Sequence, residues 1–137
     1  MAGSDDHNDN RYTLNLSHRQ VRVLILALDM YTRISIAQLD RILDHPSAEI
    51  SRETRELVRG LFDEVKHLMY GLAPNEHKSI CDPKLPEDVH IGYEIEKVLQ
   101  KIIAEVEDHH RWSVWRDGPL KVSTEPLPTI ERVEDDG

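Results

Sequence analysis

Residues 17–32, SHRQVRVLILALDMYT, decide how this chain is read. Ser17, with Gln20 three positions on, is a capping-box pattern that opens a helix. Behind it Val21, Leu24, Ile25 and Leu28 recur at i, i+3, i+4 and i+7. Val23, Leu26, Ala27 and Met30 repeat that spacing as a second stripe, and only Arg19, Arg22 and Asp29 leave a narrow polar edge. A helix apolar on nearly every side must be covered on most of them. The cover is either the rest of a monomer, with this helix at its centre, or another subunit of a homo-oligomer.

Upstream, Tyr12, Leu14 and Leu16 alternate with Thr13 and Asn15, the period of a short strand. Downstream, Ser35 and Gln38 repeat the capping pattern ahead of Ile36, Leu39, Ile42 and Leu43, a short second helix stopped by Asp44-His45-Pro46. Ser51 caps a third helix, in which Thr54, Leu57, Val58, Leu61, Phe62, Val65, Leu68 and Met69 keep the helical period. Gly71 ends it as a left-handed cap. Residues 71–86, GLAPNEHKSICDPKLP, form a loop whose length in a small domain points to a purpose. A fourth helix starts near Pro86 and carries Ile91, Ile95, Val98, Leu99, Ile102, Ile103 and Val106 on one face, out to His109 or His110. Alternation then replaces the helical period in Arg111-Trp112-Ser113-Val114-Trp115-Arg116. With a turn at Asp117-Gly118-Pro119 and a return over Leu120 to Thr124, this reads as a hairpin. The expected fold is therefore α+β and mainly helical, with about four helices and a small β-hairpin or sheet near the C-terminus. It forms one globular domain over 11–128, between disordered acidic tails at 1–10 and 129–137.

The net charge of −9 over 137 residues is unevenly spread, each tail carrying −3 and the body only −3. Bulk acidity argues against wrapping long nucleic acid, whose affinity rests on phosphate contacts. It leaves room for a small anionic ligand in a local pocket. Cys81 is the single cysteine, so no internal disulfide forms and a reducing cytosol is the expected home. No run approaches 18 apolar residues and the N-terminus lacks a signal pattern, so neither a membrane span nor export is expected.

The candidate binding residues come from three places. Trp112 and Trp115 lie between Arg111 and Arg116 with Lys121 on the returning segment, giving residues 109–124 a local charge of +2. Indole faces stack on bases and cations grip phosphates, so the combination suits a nucleotide; the alternative is that both tryptophans are core. The 71–86 loop adds Asn75 and Lys78, beside His77 and Ser79. Tyr31 and Arg33, at the end of the first helix, complete a pocket or else serve packing and the surface. No metal is expected: His109 and His110 diverge by about 100° on a helix, and His77 with Cys81 lacks the further pair that structural zinc requires. No G-x-S-x-G, H-E-x-x-H or Cys–His arrangement is present, so no catalytic residue and no cofactor is assigned.

Three stretches, YTLNLSHRQVRVLILALDMYTRISIAQLD, GLAPNEHKSICDPKLPED and RWSVWRDGPLKVSTEPLP, resemble a family of small proteins encoded by tailed bacteriophages and prophages. The resemblance covers about 11–128 and brings no catalytic residues with it. Where the family has a small or hydroxyl-rich run after the loop Asn, this chain has Glu76-His77-Lys78. The resemblance implies a soluble viral protein in the cytoplasm of the infected bacterial host. Some small phage proteins are oligomeric sponges for the cyclic nucleotide signals of host immunity, and the ingredients here match that analogy. The expected function is thus non-enzymatic sequestration of a nucleotide-type small molecule (a cyclic nucleotide or cyclic ADP-ribose type) by a homo-oligomer. Long nucleic acid and membrane are not expected partners. The alternatives are a protein–protein adaptor and a small phosphodiesterase acting on such a signal.

Overall fold

The structure is a computed structural model that describes residues 10–44, 49–107 and 120–133. Its elements are α1 (His18–Ser35), a 3₁₀ helix (Leu39–Asp44), α2 (Arg52–Tyr70) and α3 (Glu87–Glu107). The helix starts follow from local chemistry. The Ser17 hydroxyl accepts from the Gln20 amide at 3.1 Å, while the Gln20 side chain accepts from the Ser17 amide at 2.8 Å, closing the capping box. Ser51 does half of this for α2, accepting from the Thr54 amide at 3.1 Å. Gly71 ends α2 with φ 66°, a conformation glycine adopts without steric cost.

α1 and α3 lie against each other and run in opposite directions. At one end, Arg22 and His18 reach Glu107; at the other, Tyr31 rests on Gly92, where an added Cβ would stand 3.1 Å from the ring. Between these ends Ile25 packs on Leu99 and Ile103, joined by Val21, Leu24, Leu28, Ile95 and Ile130. A second cluster, Ile36 with Leu85 and Val89, seats the end of the 71–86 loop under the α1 corner. Only one of the two apolar stripes of α1 is used in this way. Val23 and Leu26, on the other stripe, remain 59% and 46% exposed. α2 rests on the 3₁₀ helix, held by Arg59–Asp40 and Arg55–Asp44 ion pairs, each at 3.5 Å.

The expected β-hairpin or sheet is not found: the described residues contain helices and no strand, so an α+β class is overturned in favour of a helical one. The physical reason is visible in the returning segment. Strand amides need a neighbouring strand, but here the Val122 and Ser123 amides donate to the Glu94 carboxylate at 2.7 and 2.6 Å, and the Thr124 amide donates to Glu87 at 2.7 Å. Residues 121–124 are thus a strap tied down by side chains of α3. Residues 12–16 pair with nothing as a strand either, and the outward half of the expected hairpin, 111–119, lies outside the described residues. The second helix also differs. Ser35 is the last residue of α1 and its hydroxyl donates back to the Tyr31 carbonyl at 2.7 Å, after which the chain turns and forms a 3₁₀ helix.

Candidate functional site

The turn after α1 builds the site. Ala37 is completely buried and holds φ 66°, the one left-handed residue other than glycine among those described. That turn brings Gln38 back onto α1, where its side-chain oxygen accepts from the Arg33 guanidinium at 2.5 Å. The loop then locks against the corner: the Lys78 amide donates to the Ile36 carbonyl at 2.8 Å, and Glu76 accepts from the Ala73 amide at 2.8 Å.

Between corner, loop and α2 opens a polar cleft of about 400 Å³. α1 supplies Arg33, the turn after it Gln38, the 3₁₀ helix Asp40 and Arg41, α2 Lys66, and the loop Pro74, Asn75 and His77. The lining holds three cations and one carboxylate: Asp40 pairs with Arg59, Arg33 with Asp29 at 3.3 Å and Arg41 with Asp44 at 3.9 Å, which leaves Lys66 without a carboxylate partner among the described residues. Lys66 is 6% exposed, and its ammonium donates to the Pro74 carbonyl at 2.8 Å. A neutral carbonyl orients that charge without balancing it. A larger groove of about 500 Å³ at the start of α1 is lined by Leu14, Leu16, Val23 and Leu24 together with Ser17, Arg19 and Gln20, and the surface it presents is mainly apolar.

Behind the cleft lies a carboxyl pair. Arg33 Nε donates to Asp29 at 3.3 Å, and Asp29 shares a hydrogen bond with Glu96 of α3. Burial pushes the Glu96 carboxyl up to about 7, against the pull of Lys97 at 3.8 Å and with help from the neighbouring Asp29 charge. Gln100 donates to the same carboxyl at 3.0 Å. Arg33 thus joins this pair to the cleft.

Of the residues expected from sequence, Arg33 and Asn75 meet in the cleft. Lys78 stands at its side with its ammonium 5.5 Å from the centre of the Tyr70 ring. Tyr31 lies on Gly92 at the α1–α3 contact. Lys121 is committed elsewhere, its ammonium donating to Glu94 at 3.2 Å and to the Ser123 carbonyl. Arg111, Trp112, Trp115 and Arg116 lie outside the described residues. Sequence reasoning missed Gln38, Arg41 and Lys66. For Lys66 a signal existed, because it falls four residues from both Phe62 and Tyr70, on the side of α2 that packs.

Chemically the cleft presents forked and point cations beside amide donors, the equipment that grips a phosphate. Among the described residues no group of three or more His, Cys, Asp or Glu is placed to hold a metal, and Cys81 is a free, exposed thiol. No described helix is long and apolar enough to cross a membrane. Comparison of the chain with protein-family models, with curated proteins and with solved structures gives no match.

Proposed function

We propose that this chain binds and sequesters a nucleotide-derived signalling molecule, without turning it over, through the cleft between the α1 corner, α2 and the 71–86 loop. The single observation that carries the reading is the buried Lys66 ammonium, whose one hydrogen-bond partner among the described residues is a carbonyl, in a cleft that also presents Arg33, Arg41 and Asn75. A phosphate there supplies the missing counter-charge. The resemblance of 11–128 to small tailed-phage proteins gives the context: a homo-oligomer in the cytoplasm of the infected bacterium that lowers the free concentration of an immune signal. Sequestration is favoured over turnover because the described residues of the cleft set no nucleophile beside a base.

Thermal-shift titration with cyclic dinucleotides and with cyclic ADP-ribose tests the reading directly. One of them should raise Tm. Lys66→Met or Arg33→Ala should weaken that ligand by roughly 10- to 100-fold, the loss of a charged hydrogen bond worth about 1.5–3 kcal/mol. Lysate from cells with an active signalling defence, incubated with the protein and then cleared by heating, should release the signal intact. The reading fails if none of these ligands shifts Tm and nothing is released.

An adaptor role is the second reading, favoured by the exposed Val23, Leu26 and Ile34 on the outward side of α1. It requires a hetero-complex that forms with no response to nucleotides.

A further inference from the structure

We infer that α2 is the subunit interface of this protein, and that it pairs antiparallel with the α2 of a second copy about a two-fold axis through Leu61. The inference deepens the homo-oligomeric part of the proposed function and says nothing about the ligand, so the two are tested apart.

α2 rests on the 3₁₀ helix through the side that carries Arg55, Lys66 and Tyr70, and no described element packs on the opposite side. That open side is apolar. Leu57 is 71%, Leu61 58% and Leu68 82% exposed, a contiguous stripe of a kind that soluble monomers seldom leave in water. The stripe runs Thr54, Leu57, Leu61, Val65, Leu68, with steps of three, four, four and three residues. Read from either end the spacing is the same. Laid antiparallel across a two-fold axis, Leu61 meets its own copy, Leu57 meets Val65 of the partner subunit, and Thr54 meets Leu68 of the partner subunit. Self-complementarity of this sort is what an isologous contact demands.

The two flanks of the stripe fix the direction. On one side lie Glu53, Glu64 and His67; on the other lie Val58, Phe62 and Met69, the last 67% exposed. A parallel two-fold pair sets the polar flank of one helix against the apolar flank of the other, which strands carboxylates on greasy surface. An antiparallel pair sets like against like. It also brings Glu53 within about one turn of the partner subunit's His67, while Glu64 and its symmetry copy stay six residues, or about 9 Å, apart along the axis. With nineteen residues, α2 is about 28 Å long, enough to carry every layer of the stripe.

Size-exclusion chromatography with light scattering should find a dimer at micromolar concentration. Leu61→Glu, which sets two carboxylates face to face on the axis, should weaken it about 100-fold or more with helical circular dichroism unchanged. In a Cys81→Ser background, Leu61→Cys should cross-link to a covalent dimer on mild oxidation, because that residue alone of the stripe meets itself. Leu26→Cys in the same background, on the open side of α1, should not. A monomeric native chain overturns the inference, as does a dimer that survives Leu61→Glu, or cross-linking through Leu26→Cys in place of Leu61→Cys. If Leu61→Glu loses helicity, the cross-linking pair decides alone. Nucleotide thermal shifts are read on the native protein and on Leu61→Glu separately. A dimer with no nucleotide response refutes the ligand and keeps the interface; a nucleotide-responsive monomer does the reverse.

Discussion

Glu94 sits in the middle of α3 at 2% exposure and accepts from four donors: the Val122 amide, the Ser123 amide and hydroxyl, and the Lys121 ammonium. Burial alone pushes its carboxyl up, but the Ser123, Val122 and Lys121 donors outweigh it and hold the group below its ordinary range. Glu94→Gln keeps the shape, loses the charge and turns an NH₂ toward amide donors. We expect a loss of about 2–3 kcal/mol in urea unfolding, with residues 121–124 opening to protease ahead of the helices. Unchanged stability would show that the strap contributes nothing to the fold. Lys121 shows where reading the sequence fails at this scale. Beside two tryptophans it looks like a phosphate cation, yet its partner lies 27 residues upstream, at a distance no local pattern reports.

Helix boundaries show both the reach and the limit of local signals. Ser17 with Gln20, Ser51 and Gly71 mark ends whose chemistry is complete within four residues, and all three stand where the sequence places them. Ser35 and Gln38 spell the same pattern, but there the helix continues and ends on Ser35; a hydroxyl can bond back to the carbonyl of the preceding turn as readily as cap the next one. The alternation in 120–124 misleads for a related reason, since its amides are satisfied by Glu87 and Glu94 and not by a strand. Arg33 and Asn75 were legible as polar residues that could share a cleft, because helix corners and long loops place polar groups. Lys66 is marked in the sequence only by its four-residue spacing from Phe62 and Tyr70 within an otherwise regular helix. The corner itself depends on Ala37, buried and left-handed. Ala37→Val adds bulk without room and a branched Cβ at φ 66°, and should cost roughly 2–4 kcal/mol. Ala37→Gly should stay within about 1 kcal/mol of the native chain, because relief of strain offsets the added entropy of the unfolded state. Urea melts compare the three, and equal stability of the valine variant would remove the corner from the argument.

Across the whole molecule the carboxylates pull stability in opposite directions with pH. Glu96 holds its proton to about pH 7 when folded, against an ordinary value of 4.5. Between those two values the unfolded chain gives up a proton that the folded chain keeps, so folding weakens as pH rises through that window, by on the order of 3 kcal/mol, and levels off above it. Glu94 and Glu107 act the other way. Hydrogen bonds from Arg22 and His18 hold Glu107 down to about 2, so both groups stabilise above their ordinary values and lose that contribution as pH falls through the folded ones. Tm measured from pH 4 to 8 should therefore fall between about 5 and 7 in the native protein. Glu96→Gln should flatten that limb and leave the acid limb in place. An identical slope in both proteins would rule out Glu96 as its source.

The strap has one more consequence, and it concerns time. A ribosome makes α3 before it makes residues 121–124, so Glu94 exists for a while with none of its donors. During that interval the Glu94 carboxylate is answered by water alone, while the side of α3 that receives α1, with Gly92, Ile95, Leu99 and Ile103, is already complete. α1 can therefore pack on α3 before Ser123 emerges, and the strap docks afterwards onto a carboxylate already in place. The strap is in this sense a late fastening, added to a pair of helices whose own contact does not wait for it.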